Sequence, residues 1–211
     1  LYEMTYPAPG NPELAREVAS LLASHHAAED DTWGLDHGAW AVLRFLYPEA
    51  NVPVFQVSID MSRGLDHQLE VGRALSQLRD RGVLILGSGN VVHNLRAIDW
   101  QQPDGAFDWA RRFDEHARQL MLERPHDIPS LASHPDYRLA VPTDDHFLPL
   151  LYLAGLSSAA ARRADVLVDG YAYGSLSMTA YTLDARCPEL QRDGQGAAPL
   201  ATGLPPEDAN V

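Results

Sequence analysis

Residues 83–96 read VLILGSGNVVHNLR. The first four are apolar and mostly branched, as in a buried strand. The turn that follows is built from glycine, serine and asparagine, and His93 stands just past it. Open α/β sheets carry their ligands and chemistry in the loops beyond strand ends. His93 is therefore a candidate site residue. A histidine in such a place also serves as a plain hydrogen-bonded structural group, and position alone does not choose.

Working outward, VPVFQVSI (52–59) alternates and is β-branched, so a second strand is expected. Residues 65–80 between the two strands are helical by spacing, with Leu65, Leu69, Leu75 and Leu78 inward and Gly82 as the stop. Upstream, Asn11, Pro12 and Glu13 form a helix start, and Leu14, Val18, Leu21 and Leu22 share a face. AAEDDTWGLDHGAW (27–40) reads as a loop, and AVLRFLYP (41–48) as a short helix lying against the core. Downstream, residues 106–123 predict a helix that buries Phe107, Ala110, Phe113, Ala117, Leu120 and Met121. Residues 128–145 are loop-like with one short helical turn. HFLPLLYLAGLSSAAARR (146–163) is a buried helix that tolerates Pro149 in its first turn. ADVLVDGY (164–171) and GSLSMTAYTL (174–183) pair as a hairpin. Strands alternating with helices give a layered α/β domain over 1–183, and the hairpin makes its sheet mixed. Residues 184–211 lack periodicity and are expected to be a disordered tail.

Composition narrows the function. The 211 residues suffice for one domain with a real core. Net charge is −13 with no basic stripe, which disfavours nucleic acid and anionic membrane surfaces. No apolar run reaches the roughly 18 residues of a membrane span. The lone cysteine, Cys187, forms no internal disulfide and fits a reducing cytoplasm. The chain begins at Leu1 in LYEMTYPAPG, which reads like the middle of a protein. An upstream part of the natural protein is expected.

Six of the nine histidines have ordinary surroundings: His25 and His26 at a helix end, His67 and His116 among charged helix neighbours, His126 and His134 beside prolines. Three stand apart. His37 lies in WGLDHGAW after Asp36, His93 follows the strand end, and His146 follows Asp144 and Asp145 in PTDDHFLPL. They form no local metal motif, so any convergence must be in space.

WGLDHGAWAVL, PVFQVSID, GSGNVVHNLR, TDDHFLPLLYLAG and YGSLSM, in this order, resemble the 4,5-DOPA extradiol dioxygenase family. YPAPG near the start belongs to the same pattern. That family is of the class III, protocatechuate 4,5-dioxygenase β-subunit type of ring-cleaving enzymes. The likeness runs from Leu1 to about Leu183. It implies a three-layer α/β/α fold around a mixed central sheet, and a non-haem Fe(II) site, also found with zinc, that opens catechol rings with O₂. It implies that His146 is a metal ligand and His93 an acid/base group toward substrate and oxygen, with ligation by His93 left open. His37 matches a histidine that hydrogen-bonds substrate or oxygen. Asp145 stands where relatives commonly carry glutamate, and Asn94 and Tyr173 are candidates for lining the pocket.

The family's other two metal histidines lie in a Gly-His-Gly-Ser-Pro turn and a Ser-Ala-His-Trp strand end, and neither motif occurs in these residues. The family's first strands are absent with them. This should weaken Fe(II) binding and expose apolar sheet edge. Two further readings fit the same residues: a relative that keeps the fold and binds without turnover, and a zinc-dependent hydrolase-like protein.

Overall fold

The structure is a computed structural model and describes residues 5–160 and 162–184. The expected disordered tail lies outside the described residues, apart from Asp184. Helix α1 spans Pro12–Leu21, and the Asn11 side chain accepts from Leu14 N–H at 3.1 Å. Helix α2 spans His37–Leu46 and α3 Leu65–Leu75, with a 3₁₀ extension over Ser76–Arg81. Helix α4 (Asp108–Glu123) carries the longest buried stripe. A 3₁₀ segment (Pro125–Ser133) and the short α5 (Tyr137–Ala140) lead into α6 (Leu148–Ala160).

The core is in two parts. The larger joins α4, the 3₁₀ segment and α6 around Phe113, Leu120, Met121, Ile128, Phe147 and Leu151, all at most 1% exposed. The smaller joins Val18 and Leu22 to Val71, Leu75, Leu78 and Leu156. Helices α3 and α6 cross between the two parts. A Cβ on Gly72 would lie 2.3 Å from the Tyr152 carbonyl oxygen, and one on Gly155 2.2 Å from that of Leu69. Only glycine at both positions lets the two backbones touch.

The final segment is a hairpin, as its Gly-punctuated alternation predicts. Strand β1 (Ala164–Val168) pairs antiparallel with β4 (Ala180–Leu183). Nested within it, β2 (Tyr171–Ala172) pairs with β3 (Leu176–Ser177).

The described residues form two two-stranded antiparallel sheets beside the helices, not a central mixed sheet between two helical layers. Residues 52–59 and 83–88, expected as strands, carry no strand ladder among the described residues. Their alternation survives without pairing: Val83 and Ile85 lean on the smaller core, while Leu84 and Leu86 are 66% and 42% exposed. Side-chain period reports which face is apolar, but not whether a neighbouring strand is present. Apolar side chains are therefore exposed along this segment. The 27–40 loop is also shorter than expected. Helix α2 starts at His37 because Asp36 caps it, and it buries only Leu43, leaving Phe45 88% exposed. Among the described residues no helix is long and apolar enough to cross a membrane.

Candidate active site

The candidate histidines stand on three separately anchored segments. The 90–94 segment is held from two sides. His93 N–H donates to the Ala140 carbonyl at 2.9 Å, at the end of α5, and His93 bridges Leu176 on the hairpin. Val91 and Val92, 3% and 0% exposed, sink the backbone on either side of the bend. His146 precedes α6. Phe147 and Leu148 N–H both donate to the Asp144 carbonyl at 2.9 Å, and Asp144 accepts from Tyr137 Oη at 2.9 Å. The two segments also meet directly, because Asn90 N–H donates to the His146 carbonyl at 2.9 Å. Gly89 permits this approach: a Cβ there would lie 2.2 Å from the same oxygen.

The result is a stacked pair of imidazoles, His93 on His146, with centroids 3.5 Å apart and planes 16° apart. Asp145 Oδ2 lies 3.4 Å from His146 Nε2. Burial, with a smaller contribution from His146, pulls the His93 pKa down to about 4 against the opposing charge of Asp145. Burial also lowers His146; Asp145 opposes that and His37 adds to it. Burial pushes Asp145 up, but its hydrogen bond with Thr143 and the nearby imidazoles outweigh that, and it falls below the usual carboxylate value. At neutral pH the pair is uncharged, with lone pairs available to a proton or a cation, beside an ionised carboxylate.

His37, Asp145 and His146 line one open cleft of about 1460 Å³, together with the exposed sides of residues 52–59 and 83–90. His37 is the first residue of α2. Asp36 does not bond to it. Its Oδ1 accepts from Ala39 N–H at 2.8 Å, its Oδ2 accepts from Gln56 Nε2 at 2.9 Å, and its own N–H donates to Gln56 Oε1 at 3.0 Å. The carboxylate therefore fixes the helix start on which His37 rides. Gln56 is the residue that sequence reading missed; as a polar interruption in an alternating apolar run it was the available signal.

Asn94 and Tyr173 fall elsewhere. The Asn94 side chain is taken up by backbone, donating to the Leu139 carbonyl at 2.8 Å and accepting from Arg96 N–H at 3.1 Å. Tyr173, at φ 52°, rests its ring 4.9 Å from Trp100. Neither is among the residues lining the cleft, and nor is His93, which meets it only through its stack on His146.

Comparison with known proteins decides the family. Residues 1–183 match the family described as the catalytic LigB subunit of aromatic ring-opening dioxygenase. The chain belongs to the LigB family. It is similar to the 4,5-DOPA dioxygenase extradiol of Escherichia coli (strain K12), 40% identical over 183 residues, covering 84% of this chain and 67% of that one. The Beta vulgaris protein of the same name is 34% identical over 186 residues, covering 86% of this chain and 69% of its own. A crystal structure of an uncharacterized Escherichia coli K12 protein superposes with a TM-score of 0.78 at 38% identity, over 86% of this chain and 76% of that one. By this membership the LigB chain is an aromatic ring-opening dioxygenase, of a kind that is generally metal-dependent, uses O₂ and acts on a small aromatic substrate.

Proposed function

We propose that the chain works as an extradiol dioxygenase on a catechol, DOPA being the first candidate because relatives carry that substrate in their names. The observation that carries this reading is the neutral His93–His146 stack beside the cleft. In it His146 would be one donor to a non-haem Fe(II), or to zinc as an alternative occupant, with Asp145 orienting its imidazole; the ion would supply the activation of O₂. His93, uncharged at neutral pH, would take the proton of a catechol hydroxyl as the substrate binds and hold it for return during ring opening. His37, carried on the capped start of α2, hydrogen-bonds substrate or oxygen from across the cleft. Asn94 then serves the turn after His93, and Tyr173 the turn of the hairpin, both away from the cleft. Residues 52–59 and 83–88 belong, on this reading, to a central sheet in a three-layer fold, completed when strands pair with them.

The donor set limits what these residues do alone. Among the described residues no group of three or more His, Cys, Asp or Glu side chains could hold a metal ion. A non-haem iron centre of this chemistry needs about three protein donors. The described residues alone thus give the ion too few donors, a further donor would have to complete the site, and the chemistry assigned here to these residues is donation by His146, proton handling and orientation. The same observation favours a second reading, a relative that binds a small aromatic without turnover.

Oxygen uptake separates the two. The full chain, incubated anaerobically with Fe(II) and then given DOPA, protocatechuate or caffeate in air, is expected to consume O₂ and form a yellow ring-opened product. Aromatic binding without O₂ uptake for any catechol would establish the second reading.

A further inference from the structure

The longest helix carries a carboxylate where its stripe calls for an apolar side chain. Asp114 sits on the buried face of α4 beside Ala110, Phe113 and Ala117, and is 0% exposed. It accepts from the hydroxyls of Ser177, of Thr179 at 3.0 Å and of Tyr171 at 3.1 Å, and Arg118 approaches at 3.5 Å. All three hydroxyls belong to the hairpin segment 171–179. Burial holds the Asp114 carboxyl above its ordinary value even against these four donors. An apolar side chain of similar size would avoid that cost.

The route onward from Asp114 passes through one serine. Ser177 is 0% exposed and spends all three of its polar groups. Its hydroxyl donates to Asp114, its N–H donates to the Val92 carbonyl at 3.0 Å, and its carbonyl accepts from Asn90 Nδ2 at 2.8 Å. Val92 precedes His93. Asn90, through its own N–H, holds the His146 carbonyl. Ser175 adds a second tie, its hydroxyl donating to the Asn94 carbonyl at 2.8 Å while its own carbonyl accepts from Asn94 N–H at 3.2 Å.

We infer that Asp114 is a positioning residue for the histidine pair: through Ser177 it sets the backbone of 90–94, and with it the contact of the His93 ring on His146. The carboxylate supplies two oxygens pointing in set directions, so it fixes where Ser177 sits along α4, which an apolar contact does not. The two other hydroxyls, from Tyr171 and Thr179, anchor the hairpin to the same oxygen, Oδ2, but reach neither His93 nor His146. This gives the inference an internal control. It rests on the reading of His93 and His146 as site residues, but its test uses no turnover, so a failed dioxygenase assay leaves it standing.

The test compares Ser177→Ala, Tyr171→Phe and Asp114→Asn in the full chain, without added metal. Cross-peaks between the His93 and His146 ring protons are read by NMR, with amide hydrogen exchange at Asn90 and His93. Ser177→Ala is expected to abolish the ring cross-peaks and speed exchange at these amides by about tenfold or more, while exchange in the α3–α6 core stays within about twofold. Tyr171→Phe, which cuts another leg of the same carboxylate, is expected to leave the cross-peaks in place. Asp114→Asn, if it folds, is expected to follow Ser177→Ala; if it does not fold, the two hydroxyl deletions decide. Intact cross-peaks in Ser177→Ala, or their equal loss in Tyr171→Phe, would overturn the assignment.

Discussion

The ring of His93 lies flat on the ring of His146, 3.5 Å between centroids, although the two residues reach the site from different elements. The stack separates two roles that spacing cannot. Asp145 at 3.4 Å makes His146 the better oriented donor, whereas His93, uncharged at neutral pH, keeps a lone pair with which to accept a proton. In the iron-loaded protein, His93→Ala should lower turnover by about 10²- to 10⁴-fold, the ordinary loss of a general acid/base. Metal content should change far less. Oxygen-electrode rates set against iron by elemental analysis check this; parallel loss of both would make His93 a ligand.

Gly89 governs how close the two histidine segments come. An alanine Cβ there would lie 2.2 Å from the His146 carbonyl oxygen and 3.0 Å from Pro149 Cγ. The obstacle is backbone, so it cannot swing aside. Gly89→Ala should cost about 1–3 kcal/mol, the usual penalty for overpacking, and break the Asn90 N–H bond to His146. A lowered urea midpoint with faster exchange at the Asn90 amide is the expected pair of results. An unchanged midpoint would mean that the segments have slack.

Much of this arrangement is visible in the sequence, for reasons that differ by element. The Asn11 cap, the buried face of α4 and the glycine-turned hairpin are local, and each stands where its residues put it. Residues 83–88 show the limit: Leu84 and Leu86 alternate with Val83 and Ile85 as a strand does, yet pairing depends on a partner elsewhere in space. The His93–His146 contact is of the same kind, since it is made by Asn90 and Ser177 and leaves no trace in spacing. Asn94 misleads for a different reason. An asparagine beside a histidine looks like a pocket residue, but its side chain competes well for nearby backbone and here caps a 3₁₀ turn.

The start of α2 gives a third prediction. Asp36 caps Ala39 N–H and is clasped at both ends by Gln56. Asp36→Ala should cost about 1 kcal/mol, as for other lost N-caps, and fray the turn that bears His37. Gln56→Ala should loosen the same turn while keeping the cap. Faster amide exchange at Ala39 and Trp40 in Asp36→Ala, with a smaller rise in Gln56→Ala, is the expected order. If the two changed equally, the clasp rather than the cap would hold His37.

Stability should also depend on pH through a histidine outside the site. His134 packs edge-on to Phe113 at 5.3 Å, and its Nδ1 accepts from Asp136 N–H at 3.1 Å, which requires that nitrogen to be unprotonated. Burial lowers its pKa; Asp136 opposes this, while His116 and Arg112 add to it. A histidine whose folded pKa is depressed contributes its full stability above the unfolded value of about 6.5. That contribution is lost as pH falls below this value, because the unfolded chain takes up the proton first. His134→Asn keeps an acceptor near Asp136 N–H and does not titrate. The difference in unfolding free energy, wild type minus variant, should therefore shrink steadily from pH 7 to pH 5, while His67, His93 and His146 cancel because both proteins carry them. Urea titrations at each pH measure it, and a difference that stays level or grows toward acid would show that His134 is protonated in the folded chain.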